Sequence, residues 1–247
     1  MARQKRLQSE TGIYHVMLRG INKQKVFLCD NDYYMFLRVL SKCKTICGFK
    51  LYAYCLMSNH VHLLIQEGEE PLANTFKRFG DSFVYRYNKE HKRSGSLFEG
   101  RYKSIPVNDD EYFITVLKYI HQNPVKAGIV KNCSDYEFSS FNSYFKQNDF
   151  VDTGFALELI GVNEFIRIHS EGNDEYLYTY DDKRIKQSDS LAKEIVEKLT
   201  HCSSPEEFSD LPKGMQKSYV KTLRKEGLSI KQIVRLTGVS QRRAEGR

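Results

Sequence analysis

The sequence lacks tryptophan, tandem repeats and any apolar run long enough to span a bilayer. Its basic start, Met-Ala-Arg-Gln-Lys-Arg, is not followed by an apolar segment, so we expect no signal peptide. These absences argue against a repeat array and a membrane protein, and we expect a cytoplasmic protein with no membrane partner. With 247 residues, the chain can form one larger domain and one small one.

Closely spaced cysteine pairs are also missing. The six cysteines are scattered without a CxxC motif, which argues against a zinc ribbon and against a disulfide framework. Cys43 and Cys47 share a predicted helical face, where we expect buried thiols that pack as small hydrophobic groups.

Positive charge is concentrated in the first part of the chain. Residues 1–150 carry 22 Lys and Arg against 15 Asp and Glu, whereas residues 151–247 carry 16 of each kind. A basic surface favours a polyanionic partner. The 16 tyrosines and 15 phenylalanines include aromatic faces on which unpaired bases could stack, although most of them are expected in the core.

The order of the predicted elements indicates an α+β fold. The pattern predicts strands over 13–19, 49–56, 60–65 and 97–107, with helices over 30–48 and 72–90 between them and a further helix from 109 to 122, where Asn123-Pro124 should end it. Asp30 or Asn31 is the expected cap of the first helix. Strand, helix, strand, strand, helix, strand is the ferredoxin-like plan, so we expect an antiparallel four-stranded sheet with helices on one face.

The remaining residues form a different region. Residues 125–170 are expected to be loop-rich, and 151–187 form a linker or extension that is polar from residue 171. Residues 188–247 are predicted as a helical, helix-turn-helix-like domain in which Lys231 and Arg235 could contact DNA phosphates. The alternative is a small helical packing or dimerisation element.

The segment Met57 to Ile65 contains an unusual histidine pair. Side chains alternate faces along a strand, so His60 and His62 point to one side and Val61 to the other. Neutral imidazole is the commonest side-chain metal ligand, so the pair predicts half of a metal site that needs a ligand from elsewhere.

The helix over 109–122 contains residues that could complete this site. Tyr119 and Asn123 lie one turn apart beside an apolar stripe that should face the sheet. Tyr119 could present its phenol to a substrate, and Asn123 its carbonyl oxygen to a metal. Taken separately, either residue could be structural, since a tyrosine at a core edge and an asparagine before proline are common.

Together these motifs resemble the HUH single-strand nucleases and transposases, and within them the insertion-sequence transposases and REP-associated tyrosine transposases. The resemblance covers residues 1 to about 145 and is carried by four motifs in the family's order: Tyr14-His15-Val16 with Arg19-Gly20, Leu56 to His62, Gly100 to Ser104, and Tyr119 to Gly128. It implies a catalytic nuclease domain over residues 1–150.

The resemblance also implies roles for individual residues. His60, His62 and Asn123 would bind Mg²⁺ or Mn²⁺, and Tyr119 would be the nucleophile that forms a 5′-phosphotyrosine on single-stranded or hairpin DNA. Candidate DNA contacts in this domain are Arg19, Lys77, Arg78, Arg101, Tyr102 and Lys103. The group that assists deprotonation of Tyr119 stays open, with Lys118 and His121 as its neighbours in sequence.

Two other functions compete with this interpretation. A non-catalytic DNA-binding regulator would use the helix-turn-helix, and an RNA-binding ferredoxin-like protein would bind RNA on the sheet, although no RNP-type aromatic motif is present. The oligomeric state, monomer or homodimer, is also open. His15 is expected to be structural, and His91, His169 and His201 are expected at the surface.

Overall fold

Four strands form one antiparallel sheet in the first part of the chain. They are β1 (Ile13–Arg19), β2 (Lys50–Met57), β3 (His60–Gln66) and β4 (Lys103–Val107), in the order β2-β3-β1-β4. This confirms the predicted α+β fold class with four antiparallel strands. The computed structural model describes residues 6–147, 149–170, 189–226, 228 and 230–244, and the chain divides into two compact units, Met1–Glu175 and Tyr176–Arg247.

Strand β4 is shorter than predicted. The expected strand began at residue 97, but before Lys103 only an isolated bridge joins Phe98 to Gly20. Gly100 has a φ of +68°, which interrupts an extended chain. The rings of Phe98 and Tyr102 pack on Phe83 and Phe76 instead. Residues 98–102 therefore form a separate segment that packs against the helix over Leu72–Glu90.

Helices α1 (Asp30–Cys47) and α2 (Leu72–Glu90) pack against each other. The predicted cap of α1 was wrong by one residue, because Cys29 is the N-cap and the Asp32 carboxylate accepts hydrogen bonds from the backbone N–H groups of Leu28 and Cys29. Gly48, with a φ of +67°, ends the helix as predicted.

Helix α3 (Asp110–Lys126) begins after its N-cap Asp109, whose side chain accepts a hydrogen bond from the Tyr112 N–H at 2.7 Å. The prediction that Asn123-Pro124 would end this helix was wrong. Pro124 lies inside the last turn, and the carbonyls of Asn123, Pro124 and Val125 still accept hydrogen bonds from the N–H groups of residues 127–129. The helix ends only before Gly128, whose φ is +67°.

Both faces of strand β3 are covered. Val61, Leu63 and Ile65 are completely buried on one face, and His62 and Leu64 are buried on the other. Helix α3 packs against β2, β3 and β4, and Tyr119 contacts His62, so α3 covers the face that carries the histidines. The additional helix thus forms a layer of its own on the sheet.

The segment after α3 is more ordered than expected. Residues 125–170 were predicted to be loop-rich, but α4 (Gly154–Ser170) is helical apart from a kink at Gly161. Its Phe165 stacks on Tyr144 with ring centroids 4.3 Å apart. The scattered aromatic residues of this region therefore form a packed cluster. Most of the polar stretch predicted as a linker, residues 171–188, lies outside the described residues.

The second unit contains helices α5 (Asp189–Thr200), α6 (Pro205–Ser209), α7 (Lys213–Lys225), α8 (Ile230–Thr237) and α9 (Gln241–Ala244). The short helix α6 was not predicted. Phe208, Leu223 and Ile233 are completely buried in the hydrophobic core of this second unit. Gly238, with a φ of +69°, separates α8 from α9, as a helix-turn-helix requires. Within the described residues, no helix has the length and apolar character needed to cross a membrane.

Candidate active site

The two histidines of the motif lie side by side on β3. Their ring centroids are 5.0 Å apart and their planes are perpendicular. His62 is 1 % exposed, whereas His60 at the end of the strand is partly exposed. The pair therefore extends from the interior to the surface along one face of the sheet.

Tyr119 of helix α3 lies against His62 and against His15 of β1. Its ring centroid is 5.4 Å from that of His62 and 5.8 Å from that of His15, both in edge-on arrangements. His62 and Tyr119 are 57 positions apart along the chain, so the packing of α3 on the sheet creates this contact. The structure thus brings together the residues that the sequence selected as ligand and nucleophile.

Hydrogen bonds orient the side chains around Tyr119. Nδ1 of His60 lies 2.6 Å from Oδ1 of Asn59. Because an amide oxygen only accepts, His60 donates from Nδ1 and carries its lone pair on Nε2. Nδ2 of Asn123 donates to the Tyr119 carbonyl oxygen at 2.9 Å, which leaves the Asn123 amide oxygen as the end that could bind a cation.

His15 forms a direct contact with His62 that the sequence did not reveal. Nε2 of His15 is 2.9 Å from Nδ1 of His62, and both rings are buried. Burial lowers the pKa of His15 to about 3 and holds the pKa of His62 well below its usual value, where His15 and His60 lower it further. Both rings are therefore neutral near pH 7. Strand alternation places His15 on a face, but only the register of β1 against β3 places it beside His62.

Lys126 is a second residue that sequence reasoning missed. Its ammonium lies 5.1 Å from the centroid of the Tyr119 ring. Burial, with a contribution from Lys118, lowers the pKa of Lys126. The residue was part of a recognised motif, and its spacing of seven from Tyr119, two helical turns, is the signal that could have identified it.

His121 does not belong to this site. It is completely buried and contacts Ser140 at 2.8 Å and His169 at 3.0 Å. The prediction that His169 lies at the surface was therefore wrong, because this side chain is 7 % exposed within the aromatic cluster. His91 is partly buried and contacts Asp32 at 2.6 Å, whereas His201 is exposed as predicted.

The candidate DNA contacts of the first unit occupy two places. Arg19 is paired with His60 in the sheet, and Lys103 with Met17, so both extend from the face that carries the histidines. Lys77, Arg101 and Tyr102 line a groove of about 700 Å³ between α2 and residues 98–102.

The groove has an apolar floor and a basic rim. Phe76 packs on Tyr102 with ring centroids 4.5 Å apart, and the guanidinium of Arg6 lies 3.9 Å from the centroid of Tyr102. Tyr85 extends from α2 with 70 % of its surface exposed. Arg78 does not line the groove and instead pairs with Glu70 at 2.9 Å.

In the second unit, Lys231 and Arg235 both lie on α8, although the side chain of Lys231 is outside the described residues. Within the described residues, no group of three or more His, Cys, Asp and Glu side chains could hold a metal ion. The histidine pair would therefore need a ligand of another type, and Asn123 offers an amide oxygen from α3.

Part of the chain is similar to known transposases. Residues 8–123 match the family model for "Transposase IS200 like". A Haemophilus influenzae protein assigned to the REP-associated tyrosine transposases is 28% identical over 105 residues, 38% of this chain, and this chain spans 60% of its length. The REP-associated tyrosine transposase of Escherichia coli K12 is 23% identical over 138 residues, 55% of this chain and 79% of that protein.

A solved structure has the same fold. It is a REP-associated tyrosine transposase bound to a REP hairpin, and it matches with a TM-score of 0.52 and 20% identity over 62% of this chain and 94% of that one. The family match spans β1, the histidine pair on β3 and the helix of Tyr119. Residues 8–123 of this chain are therefore similar to the IS200-like transposases, and the chain is similar to REP-associated tyrosine transposases.

Proposed function

We propose that this chain is a metal-dependent endonuclease and strand transferase that cleaves single-stranded or hairpin DNA through a phosphotyrosine at Tyr119. The observation that carries the proposal is the packing of Tyr119 of α3 against His62 of β3, with 5.4 Å between ring centroids. A phenol held beside an imidazole pair is the arrangement expected of a nucleophile next to a cation site.

The residues present fit a divalent cation in their donor chemistry. Nε2 of His60, Nε2 of His62 and the amide oxygen of Asn123 are the donors that would hold it, and an amide oxygen suits Mg²⁺ or Mn²⁺. When bound, the cation would neutralise charge on the phosphodiester and position the phosphorus.

The chain's own residues would perform the remaining steps. The oxygen of Tyr119 attacks phosphorus in line, the bond to the 3′ oxygen breaks, and a 5′-phosphotyrosine and a 3′-hydroxyl result. A phenol has a pKa of about 10, so its anion needs stabilisation. The Lys126 ammonium beside the ring supplies a positive charge for this purpose. A second 3′-hydroxyl can reverse the step and join new ends.

The basic surfaces suggest how DNA is held. Arg19 and Lys103 extend from the histidine face, where they could bind the backbone next to the reacting phosphate. The groove with Lys77, Arg101 and Tyr102 is a candidate site for the DNA flank, since cations beside aromatic rings suit single strands. We expect this activity in the cytoplasm.

The proposal is tested by incubating the protein with labelled hairpin DNA that carries single-stranded flanks, in Mg²⁺ or Mn²⁺, followed by denaturing electrophoresis. The expected result is DNA covalently attached to the protein, which is abolished in Tyr119→Phe. Tyr112→Phe is the matched control, because Tyr112 is buried two turns earlier on α3 and its hydroxyl has no hydrogen-bond partner among the described residues.

A non-catalytic regulator is the second candidate, and the α8–α9 arrangement favours it as a DNA-binding element. It predicts hairpin binding without an adduct or a nick in either metal, and equal binding by wild type and Tyr119→Phe. Those results would refute the nuclease.

A further inference from the structure

We propose that His15 is a positioning residue that fixes the tautomer of His62, accepting a hydrogen bond from Nδ1–H of His62 so that Nε2 of His62 is presented to a divalent cation. The inference rests on the proposed function, because it concerns the same cation site. The sequence interpretation treated His15 as structural, and the comparisons assign it no role.

The contact allows two arrangements of protons. Nε2 of His15 and Nδ1 of His62 are 2.9 Å apart, so one nitrogen donates and the other accepts. If His15 donates, His62 uses its only lone pair on Nδ1 and carries a proton on Nε2, where it cannot bind a cation. If His62 donates, its lone pair lies on Nε2. Only the second arrangement gives a ligand at Nε2.

The second arrangement also matches what His60 does. Nδ1 of His60 donates to Oδ1 of Asn59, so its lone pair lies on Nε2. With His15 as acceptor, both histidines of the pair have the same tautomer and extend the same nitrogen beyond β3. Ligand histidines usually donate their second N–H to a partner that fixes the ring in this way, most often a carboxylate or a carbonyl. Here a buried neutral imidazole takes that part.

The unused nitrogen of His15 argues against a purely structural role. Nδ1 of His15 is buried and has no hydrogen-bond partner within the described part of the chain. A buried polar atom without a partner destabilises a protein, and an apolar ring would fill the same space without that penalty. The fold therefore retains an unsatisfied nitrogen in order to keep the other one against His62.

The inference predicts a specific difference between two substitutions. The amide oxygen of a glutamine can occupy the place of Nε2 and accept from His62, whereas phenylalanine fills the space without an acceptor. We expect His15→Phe to weaken Mn²⁺ binding about 10–100-fold, the usual effect of removing such a partner, and His15→Gln to retain affinity within a few-fold. Met17→Leu is the control, since Met17 is 2 % exposed, faces the same side and pairs with His62 across the strands.

Binding is measured on the full chain without DNA, by electron paramagnetic resonance of free Mn²⁺, with circular dichroism to check folding. Equal affinity of His15→Phe and wild type, or an equal loss in His15→Gln, would overturn the inference. Wild-type affinity no greater than that of His62→Gln would instead refute the proposed cation site, and the inference with it.

A second measurement does not depend on a variant that folds. Long-range ¹H–¹⁵N spectra of the metal-free wild type report which nitrogen of His62 carries the proton. We expect protonated Nδ1, with Mn²⁺ broadening the signals around Nε2 first. Protonated Nε2, or broadening centred on Nδ1, would show that His15 does not act as the acceptor.

Discussion

Replacing Ser140 with alanine tests how the helix that carries Tyr119 is anchored. Nδ1 of His169 donates to the Phe165 carbonyl, so its Nε2 must accept from Nδ1–H of His121. Nε2 of His121 then carries a lone pair and accepts from the Ser140 hydroxyl at 2.8 Å. The order of donors is fixed along this buried chain, which ties α3 to α4 and, through Ser140, to β2.

The expected loss of stability follows from these contacts. The Ser140 oxygen also accepts from the Tyr54 N–H at 2.8 Å, and the residue is completely buried. Alanine would leave Nε2 of His121 and the N–H of Tyr54 without this partner. At roughly 1–3 kcal/mol for each of these two buried unpaired groups, we expect a loss of about 2–6 kcal/mol. Such a loss is a large part of the stability of an ordinary domain.

The assay is urea unfolding followed by far-ultraviolet circular dichroism, because the chain has no tryptophan to report by fluorescence. Ser139→Ala is the control, since Ser139 is also buried but, among the described residues, its oxygen accepts a single, longer hydrogen bond, 3.3 Å from the Phe141 N–H. We expect less than about 1.5 kcal/mol for the control. Equal losses of unfolding free energy in the two variants, with an unchanged dependence of that free energy on urea concentration, would refute the anchoring role.

Four further predictions concern acidity, packing, catalysis and DNA binding. Burial lowers the pKa of His169 to about 4, so between pH 6.5 and 4 the unfolded chain binds a proton that the folded chain excludes. The free energy of unfolding should therefore decrease as the pH falls from 6.5 to 4, by up to about 1.4 kcal/mol per pH unit. His169→Leu should make this decrease smaller when urea unfolding is measured at a series of pH values. Gly20→Ala should lower the melting temperature while Gly154→Ala does not, because a Cβ at Gly20 would lie 2.2 Å from the Gln24 carbonyl oxygen and one at Gly154 meets nothing within 4 Å. Lys126→Met should slow adduct formation about fivefold or more and Lys126→Arg should not, since a nearby cation stabilises a phenolate by at least ~1 kcal/mol; equal rates in single-turnover reactions would contradict this. Arg101→Gln should reduce the slope of log affinity against log salt by about one if the guanidinium contacts a phosphate, and an unchanged slope would remove Arg101 from the interface.

Patterns within single elements were predicted well from the sequence. The placement of His60 and His62 on one face follows from strand alternation, and the spacing of Tyr119 and Asn123 follows from helical periodicity, so neither needed a tertiary contact. Errors arose where the outcome depended on neighbours. Helix α3 continues through Pro124 because carbonyls near its end find donors beyond the proline, and the strand expected from residue 97 is short because Phe98 and Tyr102 pack on α2.

The amino-acid sequence by itself indicated the order of the strands and helices as far as Lys126 and the basic character of residues 1–150, because these depend on local periodicity and composition. The candidate ligands and nucleophile followed from side-chain chemistry together with the resemblance of the motifs to a known family. Only the tertiary structure decided that His15 contacts His62, that Lys126 lies beside Tyr119, and that His121 and His169 form a buried pair. Each of these contacts joins side chains through strand register or helix packing, and pairwise distances of this kind are not encoded in the spacing of one element. The sequence thus reveals the candidate ligands and nucleophile themselves, whereas the side chains that surround them, His15 and Lys126, depend on the fold.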